Sequence, residues 1–553
     1  MLKFLKNEKL FSGFRVFYII TVIIYSLSRQ NITALQAFLM SDILNVIVIL
    51  FAGALVCWDV FIFKNIWKTK YISLLIVFTA LTVVSSIVGF KYGYIENIKA
   101  IANIFIQFFL LYVVSVKKDS NELKKEASIV ANAIGGFWAI PVLISLYMYF
   151  ADITYTAKRY LWGEAAEISQ GFVREDDGAV VMRLWGVFVD PNFASAISIA
   201  VVALCIFVLL NTKNKLLKVF NVFNIIIQFL YIVLSNSRMA LLISCLSAFV
   251  GAWYYAYFLF KNKKLNVVVK EILALLVAGV FVVACFFTIQ LTKNALPYVR
   301  YGIGYVEQKV EESKTQELTT TQPTTAATTE KPTESTTQPV ETTQAVTQQE
   351  TESVLTTQAP TEPVVTTQAP AEPATQQATV AENSTVPHVV ETTKQNTIEK
   401  LERVDAAVKS DVSNGRFDLW LEGINTVFMS NPIFGVGPRN YNAVAQQLNP
   451  DLKIATGYSI HNSFIELLMG NGIVGTLVIL LFFILCAIKA LKARYKCTDN
   501  AKSIGVLMVC VLALFACGMF IACLFYTLSS ATIILFTVLG YAVRLTIVDD
   551  NNN

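Results

Sequence analysis

Apolar segments of about 18–25 residues recur along this chain, and each is long enough to cross the hydrocarbon core of a bilayer. The composition agrees, because 55% of the 553 residues are hydrophobic and only 15% are charged, far from the balance of a soluble domain. The sequence therefore predicts an all-α, polytopic membrane protein with about 12 transmembrane helices. The predicted spans are an N-terminal segment ending near residue 28, then residues 37–63, 71–90, 98–116, 129–150, 193–210, 219–234, 239–260, 265–291, 463–487, 503–526 and 528–543.

Lysine-rich clusters lie between these segments and set the expected orientation. When the chain is threaded in and out of the membrane, every such cluster falls on one side, which the positive-inside rule identifies as cytoplasmic. The segments 151–192, 235–238 and 292–462 then lie outside. We expect a multi-pass protein of the cytoplasmic membrane, with both termini in the cytoplasm and one large extracytoplasmic loop.

The charges, cysteines and histidines exclude several classes of function. The net charge of +5 comes from lysines in short loops, so it does not indicate nucleic acid binding. The nine cysteines lie in or beside apolar segments or in one basic loop, so no disulfide framework is expected. With two histidines and no paired cysteine motif, neither a metal site nor a cofactor is expected.

A low-complexity insert divides the chain. It is rich in Thr, Gln and Pro, with near-repeats such as TTQAPTEP and TTQAPAEP, and this composition predicts disorder. A tolerated insertion in an outer loop is the plain interpretation, and an extracellular spacer is the other; His388 within the insert receives no role. The expected regions are membrane helices 1–9 (1–291), the start of the outer loop (292–311), the disordered insert (312–397), an ordered outer loop with an amphipathic helix (398–462), and helices 10–12 with the cytoplasmic tail (463–553).

Two arginines precede predicted helix starts in the first half of the chain. Asp190 can cap the sixth span with proline in the first helical position, so Asp190 and Asn192 are assigned to structural support. Capping does not explain Arg183 a few residues upstream. Arg238 follows a plausible cap, Ser237, and a cation there opposes the helix dipole. A bound anion would be favoured at that position, and an arginine that extends to the membrane interface is the alternative.

The segment after the insert contains a third arginine at a helix start. Apolar residues recur there at helical spacing, which predicts a helix lying along the membrane interface. Arg416 stands at its first position. A turn with Gly435 and Gly437 follows and leads to Arg439. Glycines in this pattern are a weak phosphate signal, because neither a Walker motif nor a dinucleotide fingerprint is present, and a structural turn is the alternative.

His461 precedes the tenth span. Ser463 and Glu466 have the spacing of a capping box, so Glu466 is assigned to structural support. The adjacent helix N-terminus disfavours an imidazolium ion and so keeps the ring neutral. A neutral imidazole at the membrane surface can serve as a general base. A lone histidine is more often structural, but this one is flanked by arginines.

In this order, these motifs resemble the O-antigen ligase/polymerase family of bacterial envelope proteins, which includes Wzy-type polysaccharide polymerases. The matching features are RLWGVFVDPN, SNSRMALL, GRFDLW, NPIFGVGPRNY and HNSFIELLMGNGIVG, which cover roughly residues 180–490 apart from the insert. The insert departs from the family pattern.

The resemblance implies a glycosyltransferase that moves glycan repeat units from a polyprenyl-diphosphate carrier to an acceptor sugar hydroxyl at the outer face of the membrane. Carried onto this chain, it makes His461 the catalytic base and Arg183, Arg238 and Arg416 candidates for contact with the diphosphate. We place Arg416 with His461 in the catalytic pair and add Arg439 to the diphosphate set. The implied partners are the lipid-linked donor, the glycan acceptor and the bilayer, with other polysaccharide-assembly proteins as further candidates. No metal or cofactor is implied.

Three other functions fit part of the pattern. A ligase that attaches finished glycan to a lipid, wall or protein acceptor uses the same donor as a polymerase, so the motifs fit both. A non-enzymatic glycolipid transporter is the second alternative. Transporters usually carry ionisable residues inside their spans, whereas Lys270 and Glu271 are the main examples here. A surface-display protein built around the insert leaves the arginines and His461 unexplained.

Overall fold

The computed structural model describes residues 6–39, 42–161, 164–176, 179–320 and 415–552. It forms two compact units. The first comprises residues 1–306 and 387–553, and the second comprises residues 307–386. Only residues 307–320 of the second unit are described, as the end of a helix.

The described chain is mostly helical. The first half contains α1 (Glu8–Asn31), α2 (Thr33–Leu39), α3 (Asp42–Trp58), α4 (Asn65–Lys68), α5 (Ile72–Val88), α6 (Tyr94–Ile106) and α7 (Ser120–Phe150). The second half contains α8 (Pro191–Asn211), α9 (Lys215–Leu234), α10 (Arg238–Leu259), α11 (Val267–Thr320), α12 (Arg416–Glu422), α13 (Tyr441–Leu448), α14 (Ser463–Lys496), α15 (Ala501–Cys517) and α16 (Ser530–Asn552). Turns of π-helix extend α3, α6 and α12 over Asp59–Phe63, Gln107–Leu111 and Gly423–Phe428, and short 3₁₀ turns cover Phe90–Tyr92 and Lys453–Thr456.

Ten helical segments of the described chain are long and apolar enough to cross a membrane. They are α1, Ile43–Phe63, Tyr94–Leu111, α7, α8, α9, α10, Val267–Arg300 at the start of α11, α14, and Ser530–Asp550 in α16. The shorter apolar helices α5 and α15 correspond to the third and eleventh predicted spans. The polytopic helical architecture is confirmed, whereas the number of crossings and their orientation stay predictions.

Burial separates the helices into central and peripheral ones. Most of α8 and α16 is buried inside the bundle, whereas α11 is mostly exposed. The central helix α8 packs against α7, α9, α10 and α15. The N-terminus of α8 is therefore surrounded by other elements of the bundle.

Four short strands lie in the segment that we predicted as a polar loop, so the prediction for that segment needs a correction, while the all-α class of the membrane part stands. The strands β1 (Tyr155–Leu161) and β2 (Glu164–Gln170) form one antiparallel hairpin, and β3 (Val173–Asp176) and β4 (Ala179–Met182) form another. Strand-forming residues are concentrated in β1 and β4, whereas Ala, Glu and Asp are frequent in β2 and β3. The four strands are too short and polar to be found by a search for membrane-length apolar runs.

The helix α11 also corrects a predicted boundary. The ninth span was expected to end at Leu291, with an outer loop from residue 292 and a disordered insert from residue 312. Instead, α11 continues to Thr320. Glu, Lys and Gln are frequent between residues 307 and 318, and they are good helix formers without an apolar pattern. Residues 321–414 lie outside the described residues, so the predicted disorder of the insert stays a prediction.

A buried ion pair explains the glutamate that the sequence places inside the ninth span. Arg494, near the C-terminal end of α14, is fully buried, and its Nη1 lies 2.5 Å from Glu271 Oε1. The guanidinium also lies over the rings of Trp253 and Tyr257, 4.3 and 4.4 Å from their centroids. Glu271 therefore compensates a buried cation.

Replacing Glu271 by Gln is expected to destabilise the fold, because it leaves the buried charge of Arg494 without its carboxylate. Loss of one partner of a buried pair costs roughly 3–5 kcal/mol, and we expect the lower end because Glu271 keeps 20% of its side chain exposed. The melting temperature of the detergent-purified protein measures the effect. Glu96→Gln is the matched control, since the pair of Glu96 with Lys99 is more than half exposed and is worth at most about 1 kcal/mol. Equal melting temperatures for the two variants would contradict the prediction.

Candidate functional site

The site begins at the N-termini of α8 and α10. Asp190 caps α8, and its Oδ1 accepts a hydrogen bond from the backbone N–H of Asn192 at 2.8 Å. Ser237 caps α10, and its Oγ accepts from Ala240 N–H at 3.1 Å. Arg238 is the first residue of α10. Both helices start at the same end of the bundle, because α9 runs between them in the opposite direction.

Asn192 links these two helix starts. Its Oδ1 accepts hydrogen bonds from Arg183 Nη2 at 3.0 Å and from Ser237 Oγ at 2.7 Å. Arg183 is buried, and its guanidinium lies 5.7 Å from the ring centroid of Trp185. The structure therefore places Arg183 against Asn192, where it holds the starts of α8 and α10 together.

Arg416 opens α12 after Gly415, which has a φ of +75°. Trp420 anchors this helix by donating from Nε1 to the carbonyl of Ile460 at 2.9 Å. Two apolar residues of this helix, Phe417 and Leu421, are exposed, as the predicted interfacial helix requires. The residues of this segment that pack inward are Leu419, Gly423 and Val427.

The glycine turn packs against a break in α14. Gly472 interrupts that helix with a φ of +63°. The backbone N–H groups of Val436 and Gly437 donate to the carbonyls of Met469 and Gly470 at 2.9 and 3.0 Å. Gly435, with a φ of +75°, lies so close that an added Cβ would meet the carbonyl oxygen of Gly470 at 2.4 Å. The turn thus joins the backbones of two segments.

Replacing Gly435 by Ala is expected to destabilise the protein for two reasons, a disfavoured backbone conformation and a clash with backbone atoms. A non-glycine residue in a disfavoured region costs about 1–3 kcal/mol, and the clash adds to it. Gly457→Ala is the matched control, because Gly457 also has a positive φ but an added Cβ meets nothing within 4 Å. Melting temperatures should fall further for Gly435→Ala. A larger fall in melting temperature for Gly457→Ala would show that close packing of the turn is not important for stability.

The start of α14 corrects the predicted capping box. The cap is Asn462, whose side chain accepts from the N–H groups of Phe464 and Ile465 at 2.9 and 3.1 Å. Asparagine is as good a cap as serine. The hydroxyl of Ser463 instead accepts from the backbone of the segment before α16, at Cys523 and Leu524.

Glu466 is therefore free of the capping role that we predicted. It is 2% exposed, and its Oε1 lies 3.2 Å from Arg439 Nη1. Arg439 has a φ of +66°. The structure thus places Arg439 against Glu466 rather than beside the other site arginines.

His461 lies immediately before the cap of α14. Its φ of +48° is in the left-handed region, which few non-glycine residues adopt, and its N–H donates to Ser459 Oγ at 3.3 Å. Burial lowers the pKa of the imidazole, and the positive charge of Arg416 lowers it further, while Asp190 raises it. The ring is therefore neutral near pH 7. The sequence predicted a neutral ring from the helix end alone, and burial and Arg416 are additional causes.

Arg416 shares its surroundings with Asp190 and Arg238. Burial lowers the pKa of the Arg416 guanidinium, the carboxylate of Asp190 raises it, and the charge of Arg238 lowers it. An arginine remains charged after such shifts. We call Asp190, Arg238, Arg416 and His461 the His461 cluster.

The His461 cluster favours an anion. It contains two guanidinium groups, one carboxylate and a neutral imidazole, so it carries a net positive charge. The N-termini of α8, α10 and α14 point their backbone N–H groups toward the same end of the bundle, and helix N-termini attract negative charge. Lysine-rich segments follow the C-terminal ends of α8 and α10 and occupy the last turns of α14, so they lie at the opposite end.

The sequence did not predict the electrostatic role of Asp190. We assigned it to capping, and it does cap α8, but it also acts on His461 and Arg416. These residues are far apart in the chain, so no local pattern could connect them. In the part of the chain that the structure describes, no group of three or more His, Cys, Asp or Glu side chains could hold a metal ion.

Comparison with known families supports the resemblance. A family model described as O-Antigen ligase matches residues 388–480. This segment contains α12, the glycine turn and the first half of α14, with Arg416 and His461. No match was found among curated proteins. The predicted resemblance is confirmed over residues 388–480, where this membrane protein is similar to the O-antigen ligase family.

Proposed function

We propose that the protein is a membrane glycosyltransferase that transfers glycan from a polyprenyl-diphosphate carrier to an acceptor hydroxyl at the outer face of the cytoplasmic membrane. The observation that carries this proposal is the His461 cluster, in which a neutral histidine lies beside a net positive group of side chains. The imidazole can accept a proton, and the positively charged side chains can bind a diphosphate.

The reaction uses both parts. The imidazole of His461 takes the proton of the acceptor hydroxyl, and the acceptor oxygen attacks the anomeric carbon of the donor sugar. The bond from this carbon to the diphosphate oxygen breaks, and the electron pair leaves with the polyprenyl diphosphate. Arg416 and Arg238 stabilise that growing charge. Asp190 stabilises the imidazolium, because it raises the pKa of His461.

The other predicted site residues have supporting roles in this proposal. Arg183 holds Asn192, which bridges the caps of α8 and α10, so it positions Arg238 rather than contacting the diphosphate itself. Arg439 is paired with Glu466 and is left out of the diphosphate site. In the proposal, guanidinium groups provide the charge stabilisation that metal ions provide in other transferases.

The orientation of the site supports transfer at the outer face. The His461 cluster lies at the end of the bundle opposite the lysine-rich segments, and the positive-inside rule places those segments in the cytoplasm. Polymerisation onto a growing glycan is the first candidate reaction. The description of the matched family as O-antigen ligase favours a second, transfer of a finished glycan to a lipid, wall or protein acceptor.

Purified protein in proteoliposomes tests the proposal. The donor is the lipid-linked oligosaccharide extracted from a strain that lacks this gene, and the products are separated by size. A ladder of longer lipid-linked glycans indicates a polymerase, and a single transfer to another acceptor indicates a ligase. The variant His461→Asn serves as the control. If the donor crosses the membrane and no new glycosidic bond forms, the protein is a transporter and the proposal is wrong.

A further inference from the structure

A polar cavity of about 320 Å³ lies beside α6, apart from the His461 cluster. Its volume is at the lower end of the range for small-molecule sites. Residues from α6, from the end of the glycine turn and from α13 line it, among them Glu96, Lys99, Asn103, Arg439, Tyr441 and Asn442.

The charges around this cavity are already balanced. Lys99 Nζ lies 2.6 Å from Glu96 Oε1, and Arg439 Nη1 lies 3.2 Å from Glu466. Each cation therefore has its own carboxylate. The His461 cluster differs, because it contains two arginines and one aspartate. An anion such as diphosphate favours the His461 cluster, and a neutral ligand suits the cavity.

The cavity can form many hydrogen bonds. The side-chain N–H₂ groups of Asn103 and Asn442 donate to the carbonyls of Tyr526 and Ile454 at 3.1 and 2.6 Å. These hydrogen bonds fix the orientation of the two side-chain amides, and their Oδ1 atoms can accept hydrogen bonds from ligand hydroxyls. Burial raises the pKa of Tyr441 to about 12, so its phenol stays protonated. Such a lining suits a ligand with many hydroxyl groups.

A short segment of the chain connects the lining of the cavity to His461. Gly457 lines the cavity, and His461 follows four residues later. The hydroxyl of Tyr441 is hydrogen-bonded to the side chain of Ser459, and the backbone N–H of His461 donates to the same side chain. A ligand in the cavity would therefore lie next to the segment that holds His461.

We propose that this cavity binds a neutral sugar of the glycan acceptor, with Asn103, Asn442 and Arg439 contacting its hydroxyl groups. The inference rests on the proposed transferase function. It makes Arg439 a residue of the acceptor site, while the donor diphosphate binds at the His461 cluster. The cavity holds the sugar, and the proton is removed at His461.

Binding measurements on the detergent-purified full chain test this separation. The first probe is the oligosaccharide released by mild acid from the lipid-linked donor of a deletion strain, and the second is inorganic pyrophosphate. Saturation-transfer NMR titrations measure both. Gly457→Asn extends a side chain into open space at the cavity wall, and asparagine tolerates a positive φ. Asn103→Leu removes the amide oxygen. Thr456→Asn places the same new side chain one residue away, on an exposed position that does not line the cavity.

We expect Gly457→Asn to weaken oligosaccharide binding by about tenfold, equivalent to about 1.4 kcal/mol, and Asn103→Leu to weaken it by a similar factor. Pyrophosphate binding should not change in either variant. Arg416→Gln should show the reverse pattern, and Thr456→Asn should bind both probes like the wild type.

Two results would overturn the inference. One is oligosaccharide binding that is undetectable in the wild type or equal in Gly457→Asn, Asn103→Leu and Thr456→Asn. The other is loss of pyrophosphate binding on Arg439→Gln with retention on Arg416→Gln, which would make the cavity the anion site. Neither measurement needs turnover. Cavity-dependent sugar binding by a protein that forms no glycosidic bond would contradict the proposed function and leave the sugar site standing.

Discussion

Replacing His461 by Asn is expected to lower the rate of glycan transfer by about 10²–10⁴-fold, the usual contribution of a general base. Asparagine is the informative substitution because His461 has a φ of +48°, and asparagine adopts this left-handed conformation more easily than other non-glycine residues. The variant therefore removes the titratable ring and keeps the backbone that leads into the cap of α14. Alanine at this position would add backbone strain to the loss of the base.

Transfer rates of purified protein in proteoliposomes measure the effect, and the melting temperature confirms that the variant is folded. The matched control is His388→Asn, the same change at the other histidine of the chain, which should leave the rate unchanged. A His461→Asn variant that transfers glycan at the wild-type rate would remove the base from the mechanism.

The helices could be predicted from the sequence because length and composition alone determine whether a segment can cross a bilayer. The starts of α8 and α10 were also predictable, since Asp190 and Ser237 are local caps. The short strands in residues 155–182 were missed because they carry no membrane-length signal. The extension of α11 to Thr320 was missed because a polar helix has no apolar periodicity.

The site was only partly predictable, because its essential contacts join distant parts of the chain. Three arginines were selected from their positions near helix starts and Arg439 from its position after the glycine turn, yet Arg439 is paired with a buried glutamate and Arg183 with Asn192. Glu466 had the spacing of a capping box, but the neighbouring Asn462 is an equally good cap and takes that position. Which of two suitable residues caps a helix depends on tertiary contacts, here those that occupy Ser463.

The pH dependence of transfer should show the lowered pKa of His461. The imidazole must be neutral to accept a proton, so the rate falls as the pH drops through its pKa. Burial and Arg416 lower this pKa. The midpoint of the acidic limb of the pH–rate profile should therefore lie below the ordinary histidine pKa of about 6.5. The same shift makes the unfolded chain bind more protons between the lowered pKa and about 6.5, so stability should rise with pH across that window.

Replacing Arg416 by Gln is expected to have two effects that a structural defect would not combine. The rate should fall by about 10²–10³-fold, as when one stabilising donor is removed from an anionic transition state. The acidic limb should also move to higher pH, because the charge of Arg416 lowers the pKa of His461. Asp190 acts in the opposite direction, so Asp190→Asn should move the limb to lower pH. Asparagine caps helices as well as aspartate does, and α8 therefore keeps its start.

Rate profiles between about pH 4 and 8, on either side of the ordinary histidine pKa, measure both shifts in the same proteoliposomes. Lys453→Gln is the control, since it removes an exposed cation of the same region without touching the His461 cluster. Its limb should coincide with that of the wild type. Opposite shifts in Arg416→Gln and Asp190→Asn are expected if the titrating group interacts with both charges, as His461 does. Shifts in the same direction would mean that another group sets the acidic limb, and His461 would then have to be replaced as the proposed base.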